Sequence, residues 1–331
     1  MASSPFDVSY DDPALEERIL AGVDEVERQL TAAVTSTEAF VTEAAAHLLN
    51  AGGKRFRPLL VLLAAEFGDA SSPEVAKSAV VVELTHLATL YHDDVMDEAP
   101  LRRGAPSANS RWDNSVAILV GDYLFAQASS IVADLGPEAV RLQAQTFSRL
   151  VRGQIRETLG PSQGEDALAH YLGVVADKTG SLISTAALFG SKMAGADVEI
   201  QTALAEFGER IGAAFQLADD IIDVASESGD SGKTPGTDLR EGVPTLPVLL
   251  ALRSTDPADV RLLDLLSRPL ALDAEVDEAL ASLRVHPALQ EARDYVRAEA
   301  EAASKLLAGL PDIPAREALF ALCETVVTRS S

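Results

Sequence analysis

The chain has 331 residues, 47% of them hydrophobic, which is ample for a large buried core. Aromatic residues make up only 5%, so that core is expected to be aliphatic. A formal net charge of −24 opposes nucleic acid and anionic membrane surfaces as partners, and any anionic substrate would need a basic pocket of its own.

In chain order, residues 1–13 are expected to be disordered, and no cationic segment leads into an apolar one there, so no secretory signal is read. Apolar residues then recur at three- and four-residue spacing almost to the end. This spacing predicts helices over 14–34, 36–50, 54–67, 73–97, 113–134, 137–159, 165–175, 179–194 and 197–225, then 245–254, 257–267, 273–284, 286–309 and 312–328. Stop signals support these limits: Gly52-Gly53, Gly68 with Pro73, Gly136-Pro137 and Gly160-Pro161. No hairpin-bounded alternation, fixed-period repeat or low-complexity linker interrupts them, so a single all-α domain over 14–331 is expected. The apolar run SAVVVELTHLATL contains Glu83 and His86 and is too short to span a membrane, so a soluble protein without stable membrane insertion is read. A lone cysteine, Cys323, permits no internal disulfide, and a reducing cytoplasm is the natural setting.

Two connections are too long for simple turns: EAPLRRGAPSANSRWDN, and residues 226–247, SESGDSGKTPGTDLREGVPTLP. Each follows a helix ending in an aspartate cluster. Asp93, Asp94 and Asp97 form one D-D-x-x-D, and Asp219, Asp220 and Asp223 form the other. On a helix, positions i and i+4 share a face while i+1 lies about 100° round, so two carboxylates point to one place and the third flanks them. Like charges at this spacing destabilise a helix, and the macrodipole makes negative charge worse at a C-terminus. Hard oxygen donors without His or Cys suit Mg²⁺, which takes few carboxylates, several waters and phosphate oxygens. One such motif reads most simply as a solvated helix end; two, each with a cationic loop behind it, argue against that reading.

The clustered cations point to a diphosphate. GGKRFRP sets Lys54 and Arg57 one turn apart at a helix start, a ready anion site. Arg102 and Arg103 offer planar, bidentate guanidiniums. Lys178, Thr179, Gln216 and Lys233 supply further donors. Each also has a plainer reading, as a surface lysine, a helix-face amide or a solvated loop charge. His86 reads equally as a core histidine, and His92 as a local hydrogen-bonding partner.

GGKRFRP, H…HDDVMD…RRG, GDYLF, GQIRE, KTGSL, FQLADDIID and GTDLREG…TLP occur in that order. Over about residues 50–250 the chain thereby resembles the all-trans polyprenyl diphosphate synthases, the isoprenyl chain-elongation or polyprenyl synthetase family. The resemblance implies the isoprenoid synthase fold, an antiparallel helical bundle around a deep cavity, in a homodimer. It implies three Mg²⁺ ions held by Asp93, Asp94 and Asp97 and, from a facing wall, by Asp219, Asp220 and Asp223. It assigns Arg102, Lys178, Thr179, Gln216 and Lys233 to an allylic diphosphate (geranyl, farnesyl or geranylgeranyl), and Lys54, Arg57, His86 and Arg103 to isopentenyl diphosphate. The sequence departs at Val243, where members often carry lysine.

The same resemblance makes Thr85, Ala88 and Thr89, eight, five and four residues before Asp93, the wall below the diphosphate. Members making short products place aromatics at the last two. None stands here, which implies a long product, C35–C50, such as a quinone side chain, with geranylgeranyl diphosphate as the alternative. The second D-D-x-x-D and GGKRFRP oppose a terpene cyclase or head-to-head coupling enzyme. Both clusters being complete opposes a non-catalytic regulatory subunit.

Overall fold

The computed structural model describes residues 10–226 and 235–329; residues 1–9 of the expected disordered segment, and Lys233, lie outside the described residues. The described residues are all-α apart from one small hairpin. In order they form α1 (Pro13–Val34), α2 (Ala39–Asn50), α3 (Phe56–Ala65), α4 (Pro73–Met96), β1 (Leu101–Arg102), β2 (Ala105–Pro106), α5 (Ala108–Arg111) and α6 (Asn114–Ala133). There follow α7 (Pro137–Leu159), α8 (Ala167–Val175), a π-helical turn (Ala176–Gly180), α9 (Ser181–Met193) and α10 (Val198–Ala225). Last come α11 (Thr237–Glu241), α12 (Leu246–Ala251), a 3₁₀ turn (Pro257–Asp259), α13 (Val260–Leu266), α14 (Asp273–Val285), α15 (Pro287–Leu307) and α16 (Pro314–Arg329).

Local chemistry explains these limits. Proline opens α1, α4, α7, α15 and α16, where its fixed φ suits the first turn and its missing N–H is no loss. Aspartates also cap helices: Asp12, ahead of the proline of α1, accepts from Ala14 N at 2.8 Å, and Asp113, at α6, from Val116 N at 2.8 Å. Every helix expected from periodicity has an observed counterpart within three residues at each end, with 257–267 divided between the 3₁₀ turn and α13. Periodicity gave no sign of the hairpin, α5, α11 or the π turn, all of them short. The two long connections are thus partly ordered rather than plain loops.

The contacts group the chain into two compact units. The first comprises Met1–Ser148, Leu182–Gly208 and Leu306–Ala321; the second comprises Arg149–Ser181, Glu209–Lys305 and Leu322–Ser331. In the first unit α4 is the central element, packing most widely on α6 and also on α3 and α1. Its residues Val80, Val81, Val82, Leu84, Leu87 and Ala88 are all buried, giving the aliphatic core that composition implied. The Tyr91 hydroxyl ties α4 to α2, donating to Ala44 O at 2.6 Å and accepting from Leu48 N at 3.2 Å. In the second unit α12 packs on α8 and α14, and α13 on α14.

One finding departs from the sequence reading. α6 is long and apolar enough, by length and composition, to cross a membrane, and only 33% of that stretch is buried within the chain. Ile118 and Leu119 are exposed on it.

α3 and α9 meet at Gly190, where an added Cβ would stand 2.0 Å from Val61 O, a backbone atom that cannot swing away. Gly190→Ala is therefore expected to cost about 1–3 kcal/mol as overpacking does, measured as a lower urea midpoint with unchanged slope.

Candidate active site

The first aspartate cluster closes α4. Asp97 is the C-cap, its N–H bonded to Asp93 O at 2.8 Å, and Ala99 N reaches back to Asp94 O at 3.0 Å. That 6→1 bond, with Glu98 at φ 49° between, is a Schellman-type stop without its usual glycine. The chain then turns through the hairpin, where Leu101 pairs with Pro106 and Arg102 with Ala105. Arg103 and Gly104 form the turn with φ of 54° and 77°, the positive pair that a two-residue type I′ turn requires. His47 anchors the far strand, its Nε2–H donating to Pro106 O at 2.7 Å.

This turn sends the two arginines to different partners. Arg102 Nε donates to Asp94 Oδ1 at 2.6 Å, and its Nη2 lies 4.0 Å from Asp97 Oδ2. Arg103 Nη1 donates to Leu48 O at 3.0 Å and to Gly52 O. Asp94 is fully buried, and its Oδ2 has no hydrogen-bond partner among the described residues. Burial pushes the Asp94 carboxyl above the usual carboxylate range, against the pull of Arg102. Asp93 and Asp97, the i,i+4 pair, keep contact with solvent.

Beside it, cations outnumber their counterions. Arg55, at φ 49°, caps α3. It is 8% exposed and donates to Glu27, to Glu83 Oε1 at 3.4 Å and to Leu49 O at 3.2 Å. Two guanidiniums crowd over Gly53: a Cβ there would sit 2.7 Å from Arg55 Nη1 and 2.9 Å from Arg103 Cζ, which explains the second glycine of GGKRFRP. Lys54 precedes α3 rather than standing within it, and Arg57 lies in its first turn. Arg57 Nε is buried without a hydrogen-bond partner. Burial pulls its guanidinium down to about 10, opposed by Glu83 and assisted by Arg103. His86 is held neutral, its value driven well down by burial and then by Arg57, Arg103, Arg102 and Arg55. An unpaired guanidinium donor beside a surplus of positive charge suits an anion with several oxygens.

Below this, Thr85 and Thr89 satisfy their hydroxyls within α4, donating to Val81 O and His86 O at 2.8 Å each. Ala88 is fully buried where α4 meets α6; a Cβ on Gly121 would lie 3.1 Å from Ala88 O. A small cavity opens against Thr85, lined also by Val81, Val82, Gln143, Thr146, Leu182, Thr185 and Phe189.

The second unit carries the other cluster, at the end of α10, in a matching pattern. Its second aspartate is again the buried one. Asp220 accepts from the Tyr171 hydroxyl and from Gln216 Nε2 at 3.1 Å, and Gln216 Oε1 accepts from Thr179 at 3.1 Å. Burial raises Asp220 to about 7, the bonds from Tyr171 and Gln216 opposing and the charges of Asp219 and Asp223 adding. Asp219 Oδ1 accepts from Arg329 Nη2 at 3.0 Å. Asp223 receives the N–H groups of Thr237 and Asp238 at 3.3 Å each, at the start of α11. Lys178 Nζ pairs with Glu157 of α7.

Among the described residues no three His, Cys, Asp or Glu side chains stand close enough to hold an ion unaided. The donors present nonetheless fit Mg²⁺. They are all hard oxygens, the first and third aspartates of each cluster stay accessible, and Asp94 Oδ2 is buried with no partner. Mg²⁺ completes its shell with water and substrate oxygens rather than with a full protein cage.

Sequence reading thus missed Arg55, Glu27 and Glu83 around the cations, and Tyr171, Glu157 and Arg329 around the second cluster. Glu83 left a trace, as a charge inside an apolar run. Tyr171 and Arg329 left none, because their partners lie 49 and 110 residues away.

Residues 38–283 match the family model described as polyprenyl synthetase. A nonaprenyl diphosphate synthase of Mycobacterium tuberculosis is 51% identical over 325 residues, 97% of this chain and 96% of that relative. A geranylgeranyl pyrophosphate synthase of Corynebacterium glutamicum, crystallised with calcium and isoprenyl diphosphate, superposes with a TM-score of 0.88 at 48% identity, over 97% of this chain and 99% of that one. A decaprenyl diphosphate synthase from Rhodobacter capsulatus superposes with a TM-score of 0.87 at 34% identity, over 96% and 99%.

Because the folded chain keeps His86 below its free value near 6.5, the unfolded chain takes up that proton first. Stability contributed by neutral His86 is present above this range and lost as pH falls through it, by about 1.4 kcal/mol per pH unit. In urea titrations the gap between wild type and His86→Gln should therefore narrow as pH drops from 7 toward 5.

Proposed function

The chain belongs to the polyprenyl synthetase family, has its isoprenoid synthase fold and is a prenyltransferase, and from that premise we propose the following assignment. The enzyme condenses isopentenyl diphosphate head-to-tail with an allylic diphosphate to give an all-trans polyprenyl diphosphate of long chain. Lys54, Arg57, Arg103 and neutral His86 hold isopentenyl diphosphate. Arg102, Lys178, Thr179, Gln216 and Lys233 hold the allylic diphosphate. Asp93, Asp94, Asp97, Asp219, Asp220 and Asp223 are the residues that would hold Mg²⁺, three ions by family expectation. When bound, Mg²⁺ supplies Lewis-acid stabilisation of the leaving diphosphate.

The residues' work is to gather two anions and to bias one bond toward ionisation. Gathering them in one geometry makes the bimolecular step effectively unimolecular. Cationic side chains aimed at the departing diphosphate favour cleavage of the allylic C–O bond. The isopentenyl double bond attacks the resulting allylic cation, forming the new C–C bond, and the proton lost from the adduct goes to the released diphosphate. Apolar side chains around the prenyl chain keep water from the cation.

The observation that carries the long product is the helix below Asp93. Thr85 stands eight residues earlier, about 12 Å down the axis, against a cavity, with no aromatic at 85, 88 or 89. A geranylgeranyl product is the second reading, favoured by the small size of that cavity and by the likeness to the Corynebacterium enzyme. We also assign a homodimer, whose contact the exposed apolar face of α6 would supply. The cytoplasm is the proposed setting.

Incubation with Mg²⁺, isopentenyl diphosphate and farnesyl or geranylgeranyl diphosphate should give chromatographically sized C35–C50 products. Arrest at C20 would favour the second reading, and no elongation would overturn the assignment. Ala88→Phe, or Thr89→Phe if the first fails to fold, should shorten the product by several isoprene units. Leu119→Glu should shift the mass by light scattering from dimer to monomer.

A further inference from the structure

The π turn at Ala176–Gly180 carries Lys178 and Thr179, and it is held by a set of charges that the reaction does not use. Asp177 Oδ1 accepts from Arg149 Nε at 3.1 Å and from Arg152 Nη2 at 3.1 Å, while its Oδ2 accepts from Arg152 Nε at 3.0 Å. Arg149 goes on to Ala176 O at 3.3 Å and to the carboxylate of Glu209 on α10. Asp177 is 9% exposed. Both arginines come from α7, which approaches so closely that a Cβ on Gly153 would lie 2.8 Å from Lys178 N.

A π turn inserts one extra residue into a helix, and such insertions are rare and recur at functional sites. Relaxing it to regular α-helix would move the register by one position, turning Lys178 and Thr179 about 100° round the axis. The clamp is therefore placed where it decides which way those two side chains point. We propose that Asp177, gripped by Arg149 and Arg152, is a positioning residue that fixes the π turn and thereby aims Lys178 and Thr179 at the allylic diphosphate. This rests on the assignment of those two residues given above.

The test is a kinetic double-mutant cycle on the full-length enzyme with Mg²⁺, using Asp177→Asn, Lys178→Ala and the pair. KM for farnesyl diphosphate, KM for isopentenyl diphosphate, kcat and Tm are read for each. Asp177→Asn should raise the allylic KM about tenfold, as expected for losing an aligned charge-assisted contact, and leave the isopentenyl KM unchanged. In the Lys178→Ala background it should add less than about twofold. Should Asp177→Asn not fold, Arg152→Gln, whose side chain is 59% exposed, replaces it with a smaller shift of the same kind. A lower Tm with both KM values unchanged, or equal effects with and without Lys178, overturns the proposal. A Lys178→Ala enzyme with normal allylic KM removes the diphosphate assignment itself, and the positioning role with it.

Discussion

Three carboxylates at the negative end of a helix repel one another, and both clusters meet this constraint in the same manner. The second aspartate of each is withdrawn from water and held by neutral or cationic donors, Arg102 for Asp94 and Tyr171 with Gln216 for Asp220. The first and third then remain accessible at the i,i+4 spacing that sets two carboxylates on one face. Burial of the middle carboxylate costs desolvation, which shows in its raised proton affinity in both clusters. That cost leaves each cluster poorly balanced by protein alone and well suited to a divalent cation.

The cation group is the complementary problem. Arg55, Arg57 and Arg103 share Glu83 as a buried acid, and Arg55 also takes Glu27. Arg55 is spent on holding the chain: it grips Leu49 O and Gly52 O and shapes the entry to α3. Arg57 is left with an unpaired buried donor. Two arginines of one motif thus differ, Arg55 being tied to the protein while Arg57 keeps a donor to spare. Arg102 and Arg103 also part, Arg102 turning to Asp94 and Arg103 to the backbone of α2 and the following glycines.

Much of this was legible in the sequence because its signals are local. Proline starts, glycine stops and apolar periodicity act within a turn or two, and the helices followed them closely. Paired D-D-x-x-D motifs are likewise local, since helix geometry fixes their spacing. What escaped depends on distant partners or on backbone states that residue type does not announce. The hairpin rests on a positive φ at Arg103, and the π turn on arginines 25 and 28 residues earlier. Tyr91 could be read as a core aromatic, yet its hydroxyl matters through carbonyls 46 and 47 residues away. Periodicity placed α6 as a helix but does not reveal how little of it the chain covers.

Among the described residues, the only non-glycine positions with positive φ are Arg55, Glu98 and Arg103, and all three flank the first cluster. Each gives up roughly 1 kcal/mol that glycine would keep. The consequence reaches selection for robustness. A screen for stability would enrich glycine at Glu98, an exposed side chain, but not at Arg55 or Arg103, because glycine would forfeit their bonds to Glu27, Glu83 and the carbonyls of Leu48, Leu49 and Gly52. A thermostable descendant of this chain would therefore be recognised by the two strained arginines it kept.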